Sequence, residues 1–434
     1  MTQTILNRQS YQVDDLIITL NKEGARDFSK VSFPIRYGRY SEIQTSDYLF
    51  QFNLNGEIKH IQGRSQNWPH PEEWLKRTVG NDWIYYSAGD YKGVYELFGE
   101  YYFPCLSYPS NSIINDDPFE KNTVTSAIRS WQSLQGKMRE INTKGMHRVL
   151  KDFLSRVASH DEEVLRKRSE KLHCLIRGPV TVLPPDSRHV DYEVIPLVVA
   201  VGCLYDCGFC RVKSGRGFAP LTSADMVEQI EGVKDLYGRD LQNYNSIFLG
   251  EHDALCAGIE ILEFTALRAH KTFDFEHSYM KENRLFLFGS VDSLIHSKET
   301  LFDMLNSLPF YTYVNVGLES ADLATLAALK KPVDVERVRE AFSRMLEINA
   351  TYERIEVTAN FVYGADLPEN HLPSFLKLVK GGRGRFHNKG TLYLSPLIQR
   401  ENGKRGSNRE LLRRFYKIKG QSLLPTYLYL IQRL

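Results

Sequence analysis

Half of the six cysteines of this 434-residue chain fall within eight residues, as Cys203-Leu-Tyr-Asp-Cys207-Gly-Phe-Cys210. Three thiolates in one short loop can hold three irons of a cubane 4Fe-4S cluster, and no fourth cysteine lies nearby to complete the set. One iron is then left exchangeable. Zinc, with His189 or His252 as fourth ligand, is a second reading. It suffers because zinc sites usually pair two C-x-x-C knuckles, and only Cys207 and Cys210 have that spacing. A thioredoxin-type C-x-x-C leaves Cys203 unexplained, and purely structural cysteines need no such clustering. Cys256, five residues beyond Glu251, is most plainly a small apolar residue at a helix start. Cys105 and Cys174 are isolated.

The elements around the loop follow a simple pattern. A first apolar run, Ile195-Pro-Leu-Val-Val-Ala-Val, leads directly into it. Further runs occur at 246–249, 285–288, 313–316, 355–362 and 391–394, separated by amphipathic helical stretches. Examples are 226–237, 301–305 after a candidate cap at Ser297, and 335–348 after one at Asp334. Six strands alternating with helices predict a parallel α/β sheet or partial barrel, because parallel strands need crossover connections. Chemistry in such folds gathers at the C-terminal strand ends.

Before this region the composition differs. Residues 33–108 hold 18 aromatics, and two alternating segments flank Asn55-Gly56, a strong hairpin signal. A small β-rich N-terminal domain is predicted over 1–120. A helical connector and linker follows over 121–185, with Val149, Leu150, Phe153, Leu154 and Val157 at helical spacing and prolines at 179, 184 and 185. The core occupies 186–400 and a basic C-terminal segment 401–434.

Composition excludes several classes. With 42% hydrophobic and 25% charged residues, the chain is neither disordered nor collagen-like, and it has too few cysteines for a disulfide scaffold. No window is apolar enough for a membrane span, and the first residues lack a signal peptide's apolar run, so a soluble cytoplasmic protein is expected. Net charge is only +2, yet residues 377–434 carry fourteen Lys or Arg against two acids. Such asymmetry points either to an acidic partner or to a solvated basic face.

The spacing Cys-x-x-x-Cys-x-x-Cys, with aromatic Phe209 before the last cysteine, at the end of the first strand of a six-strand β/α region, resembles the radical S-adenosylmethionine (radical SAM) enzymes. The resemblance covers about residues 192–400. It is closest in style to the branch of the Elongator catalytic subunit and the methylthiotransferases, because Val316-Gly-Leu-Glu-Ser320 is similar to their Gly-x-Glu-Ser motif. It implies a partial (β/α)6 TIM-like barrel, one 4Fe-4S cluster on Cys203, Cys207 and Cys210, and S-adenosylmethionine chelating the open iron. Reductive cleavage would then give a 5′-deoxyadenosyl radical that takes hydrogen from substrate. By the same matching, Phe209 covers the cluster near the adenine, and Gly250 and Glu251 stand for the family's Gly-Gly-Glu, Leu249 replacing its first glycine. Glu251 would bind the methionine ammonium. Glu319 and Ser320 would contact the ribose or methionine end, with helix capping as the competing role for Ser320. Ser290 and Gly364 would supply polar and close-backbone contacts.

The chain lacks a second cysteine set for an auxiliary cluster, the Asp-x-His-x-x-Gly pattern of cobalamin binding, and length for an acetyltransferase domain after the core. A reductant such as ferredoxin or flavodoxin is implied. The basic C-terminal segment and the aromatic N-terminal region lean toward RNA, or a peptide, as substrate. Two other classes fit the same cysteines: a non-catalytic iron-sulfur protein for electron transfer or sensing, and a zinc-stabilised nucleic-acid-binding module.

Overall fold

The computed structural model describes residues 3–5, 9–28, 36–66, 68–69, 72–88, 93–108, 111, 117–141, 143–205, 207–210, 217–250, 252–381, 389–397 and 405–434. Among them lie two large sheets. The first is an antiparallel meander of β1 (Gln3–Ile5), β2 (Ser10–Val13), β3 (Leu16–Glu23), β4 (Arg39–Gln44), β5 (Tyr48–Phe52), β6 (Ile58–Gly63), β7 (Trp74–Arg77), β8 (Trp83–Ser87) and β9 (Phe103–Cys105). Strand β3 buries Leu16, Ile18 and Leu20 on alternate positions, the period-two pattern of a sheet with one covered face. The turn from β5 to β6 is made at Asn55-Gly56, where Gly56 has φ 85° and a Cβ would fall 2.7 Å from that of Arg156. Between β8 and β9 lies a short helix, α1 (Val94–Phe98).

Three helices follow: α2 (Asn122–Glu140), α3 (Arg148–Ser159) and α4 (Glu162–Leu175). The first two cover the meander, with Phe52 5.6 Å from Trp131 and 5.7 Å from Phe153, ring centre to ring centre. The aromatics that marked this region in sequence are therefore largely sheet core; Trp74, Tyr86 and Tyr102 pack as a buried triad.

The second sheet is parallel throughout and seven-stranded: β10 (Ile195–Leu197), β13 (Ser246–Leu249), β14 (Arg284–Gly289), β15 (Tyr311–Glu319), β16 (Ile355–Tyr363), β17 (Leu392–Pro396) and β18 (Thr426–Leu428). Each strand adds beside its predecessor, so the crossovers wind in one direction. The connecting helices are α5 (Ser223–Tyr237), α6 (Ile259–Thr272), α7 (Val291–His296), α8 (Glu299–Ser307), α9 (Leu323–Ala328), α10 (Val335–Thr351), α11 (His371–Gly381) and α12 (Arg405–Lys419).

Three details depart from the sequence expectation. The first apolar run is not one strand. The Gln229 side chain of α5 brackets Val198, accepting from its N–H at 2.6 Å and donating to its carbonyl at 3.2 Å, which takes that backbone out of the sheet. After this break β11 (Ala200–Val201) pairs separately with β12 (Ala219–Pro220). Secondly, a seventh strand, β18, comes from the stretch after α12. Thirdly, Ser297 does not cap α8: its hydroxyl donates to the Ser293 carbonyl at 2.6 Å, closing α7, and the cap position falls to Lys298. Asp334 does cap α10, accepting from Arg337 N–H at 2.8 Å.

Candidate active site

A cavity of about 300 Å³ opens at the C-terminal edge of the parallel sheet. All three clustered cysteines line it, together with Phe209, Ser290 and Glu319. The cysteine loop leaves β11 through Gly202, whose φ of 77° a residue with a side chain would resist. It is fastened below by Gly208 N–H donating to the Leu329 carbonyl at 2.9 Å. A Cβ on Gly208 would come 3.0 Å from Lys330, so the loop lies close on the turn after α9. All six cysteines are thiols. Burial pushes the Cys207 thiol up to about 11, with Glu319 and the other two thiols adding to the rise and Lys331 opposing it. A thiol so buried resists ionisation, and a cation bound beside its sulfur would remove the penalty.

Among the described residues, no three His, Cys, Asp or Glu side chains converge as a single-ion site. Tetrahedral zinc needs its donors about 2.0–2.3 Å from one centre, and only one of the two histidines considered for it lines the cavity. His252 lines the cavity, but His189 is stacked on Tyr313 at 4.9 Å. A cubane takes one thiolate at each of three iron corners, and three thiols lining one cavity match that donor chemistry.

Glu319 is placed by a local distortion. The pairing of β15 with β16 slips between Gly317 and Glu319, and Glu319 itself has φ 63°. This bulge turns its carboxylate back over Gly317, where a Cβ would be only 2.4 Å from Oε1. The carboxylate is buried beside Lys331, with Oε1 3.8 Å from Nζ. Burial raises its pKa and Lys331 counters the rise. Lys331 also stands 5.2 Å from the centre of the Tyr205 ring, whose hydroxyl accepts from Asp292 N–H at 3.1 Å. A cation, an anion and an aromatic face thus meet beside the thiols.

Ser290 lines the cavity and also caps α7 in a reciprocal box with Ser293. Ser293 donates to Oδ1 of Asp253 at 2.7 Å. The second oxygen of Asp253 is buried in the same cavity wall and meets no hydrogen-bond partner among the described residues. Burial raises this carboxyl's pKa, and the two serines hold it back. An acceptor so placed suits a ligand that brings its own donor.

Three expected site residues are placed differently. Ser320 is fully buried behind the cavity: its hydroxyl meets His371 Nδ1 at 2.8 Å and accepts from Asp322 N–H at 3.0 Å. It does not cap α9 either, since Asp322 takes the cap by accepting from Thr325 N–H. Gly364 packs against the Leu397 carbonyl, 2.9 Å from where a Cβ would stand, rather than lining the cavity. Gly250 lies under the mouth, its N–H donating to Leu197 at 3.0 Å, and a Cβ there would overlap the Phe248 ring. Glu251 lies outside the described residues.

Asp253, Lys331 and Asn360 line the cavity without having been singled out in sequence. Asp253 carried a signal, being a second acid in the strand-end turn Gly250-Glu-His-Asp253. Asn360 carried one too, as a polar residue inside an apolar run; Lys331 carried none. Asn360 begins a buried polar chain running below the cavity. Its Nδ2 donates to Asn315 Oδ1 at 2.5 Å, Asn315 to Thr358 at 2.8 Å, and Thr358 to Asp186 Oδ2 at 2.6 Å. Tyr393 donates to the other Asp186 oxygen at 2.7 Å and accepts from Arg188 at 3.0 Å.

No protein-family model matches the chain, and no curated protein does. Among solved structures, it is similar to OxsB, a cobalamin-dependent S-adenosylmethionine radical enzyme. The two are 14% identical over 56% of this chain and 32% of OxsB, with a TM-score of 0.34. A radical SAM methyltransferase from Sphaerobacter thermophilus is 16% identical over 54% of this chain and 64% of that one, TM-score 0.33. SuiB from Streptococcus suis is 11% identical over 89% of this chain and 71% of its own, TM-score 0.37. The chain thus spans about a third of the length of OxsB. At such TM-scores these likenesses define neither fold nor chemistry, and both rest on the residues themselves. Among the described residues, no helix is long and apolar enough to cross a membrane.

Proposed function

We propose that the chain is a radical S-adenosylmethionine enzyme with one 4Fe-4S cluster on Cys203, Cys207 and Cys210. The observation that carries this reading is that three thiols of one loop, with Phe209 beside them, open on the same cavity at the C-terminal edge of a parallel sheet. The sequential order of β10 to β17 supports a partial TIM-like barrel within residues 186–400, to which β18 adds a strand from beyond that range. Residues 1–120 are read as a β-rich N-terminal domain, 121–185 as a connector and 401–434 as a C-terminal segment.

When bound, the cluster supplies the electron that splits a carbon-sulfur bond of S-adenosylmethionine. The chain's own groups bind and orient. Lys331 and Glu319 offer one charge of each sign to a zwitterionic methionine end, and Glu251 remains the proposed partner of its ammonium. Asp253 supplies an acceptor for a ligand hydroxyl or amine. Phe209, Phe288, Val362, Leu397 and Ile431 make the wall largely apolar and exclude water from a reactive species. A ferredoxin or flavodoxin would deliver the electron, and RNA or a peptide is the proposed substrate class.

Anaerobic purification tests the reading. The expected result is a brown protein that, reduced with dithionite, converts S-adenosylmethionine to 5′-deoxyadenosine, and loses this activity on replacement of Cys203, Cys207 or Cys210 by Ala. A colourless zinc protein, or a cluster protein that never cleaves the cofactor, would sink it. Glu251→Gln should weaken cofactor binding while leaving the cluster absorption intact.

A further inference from the structure

Helix α12 carries an outward ridge unrelated to the cavity wall. Arg409, Arg413 and Tyr416 stand at i, i+4 and i+7, on one line along the helix, with Lys417 beside them; all four are exposed. Leu411, Phe415 and Ile418 on the opposite side are buried, which fixes the ridge toward solvent. Glu410 is engaged by Arg414 at 3.1 Å. Arg409, Arg413 and Lys417 therefore have no acidic partner among the described residues, and three like charges at this spacing repel one another.

Aromatic rings continue the ridge. The end of α12 docks on α1, where Lys419 bonds the Glu96 carbonyl and stands 4.4 Å from the centre of the Tyr427 ring. Tyr416 reaches the start of α1, its hydroxyl 2.7 Å from where a Cβ on Gly93 would be. Tyr95 and Tyr101 lie against each other on that side, ring centres 5.0 Å apart, and are 49% and 42% exposed. These and Tyr416 are the exposed tyrosines among the described residues.

We infer that this face binds a single-stranded nucleic acid, with the three cations on phosphates and the tyrosine rings stacked on unpaired bases. A duplex hides its base faces and would use only the cations. A membrane-inserting face would present Leu, Phe or Trp rather than hydroxyl-tipped rings between charges. The inference does not rest on the iron-sulfur reading, since cations and rings act without a cluster.

The test is fluorescence anisotropy on the full chain with labelled oligouridylate and oligothymidylate, each about twelve nucleotides, within the usual site size. Binding of either strand, weakening with salt, is expected. Arg409→Gln/Arg413→Gln/Lys417→Gln should lower the logarithmic salt slope by about 2, three phosphates' worth for single strands. Tyr95→Ala/Tyr101→Ala should weaken binding by about fivefold or more at an unchanged slope. These positions are exposed, and circular dichroism of each variant should match the parent. Equal affinity for a blunt duplex, an unchanged slope in the triple variant, unaltered affinity in the tyrosine variant, or binding to phosphatidylserine vesicles without oligonucleotide binding would each overturn it.

Discussion

Asp186→Asn puts a number on the buried polar chain beneath the cavity. Asp186 is wholly buried, and burial, with the neighbouring charge of Glu356, pushes its carboxyl from 3.8 up to about 7 against the help of Thr358 and Tyr393. A carboxyl raised in the folded state keeps its proton where the unfolded chain has lost it. Between the two values the native state therefore binds more protons, and stability falls as pH rises. The span from 3.8 to about 7 corresponds to roughly 4 kcal/mol, a large part of the 5–15 kcal/mol or so that holds a domain together. Asparagine has nearly the same volume and no charge to bury, and both hydroxyl neighbours can rotate to suit it. Urea unfolding of the reduced, cluster-free protein between about pH 5 and pH 8 should show Asp186→Asn gaining roughly 3 kcal/mol on the parent across that range, because part of the span lies below pH 5. Subtracting the two curves removes the titration of other groups. A difference that stays flat within about 1 kcal/mol would falsify the claim that this carboxyl is charged at a cost beneath the site.

Three further outcomes are expected. Gly250→Ala should cost about 1–3 kcal/mol in unfolding free energy, because its Cβ would overlap the buried Phe248 ring; a neutral result would mean the strand end has room that the structure denies. Gly317→Ala meets the far ends of the flexible Glu319 and Lys331 side chains, so it should leave stability within about 1 kcal/mol of the parent. It should nevertheless displace that carboxylate, read as weaker S-adenosylmethionine binding by isothermal titration, and unchanged affinity would count against a role for Glu319. Ser320→Ala leaves His371 Nδ1 without its 2.8 Å partner and should destabilise by about 1–3 kcal/mol while leaving cofactor affinity alone, whereas loss of affinity at full stability would restore Ser320 to the site.

The parts legible in sequence were those with a local signature. Alternating apolar runs and amphipathic helices marked the parallel strands from β13 to β17, and Asn55-Gly56 marked a hairpin, because periodicity and turn chemistry act over a few residues. Three thiols in one loop needed no fold to be noticed. What escaped depends on long-range placement. No local rule says that Gln229 of α5 will occupy the Val198 backbone and split the first strand. Nor does anything around Lys331 announce that the turn after α9 returns it to the cysteine loop. Ser320 faces inward for a related reason: a residue at a strand end has two directions to face, and this one meets the buried His371 from far along the chain.

The wall facing the cysteine loop includes Tyr429 and Ile431, which follow β18. A ribosome adding about 5–20 residues each second delivers that flank some tens of seconds after the thiols have emerged. Until that flank is made and folded against the sheet, the cavity lacks the part of its wall that Tyr429 and Ile431 supply.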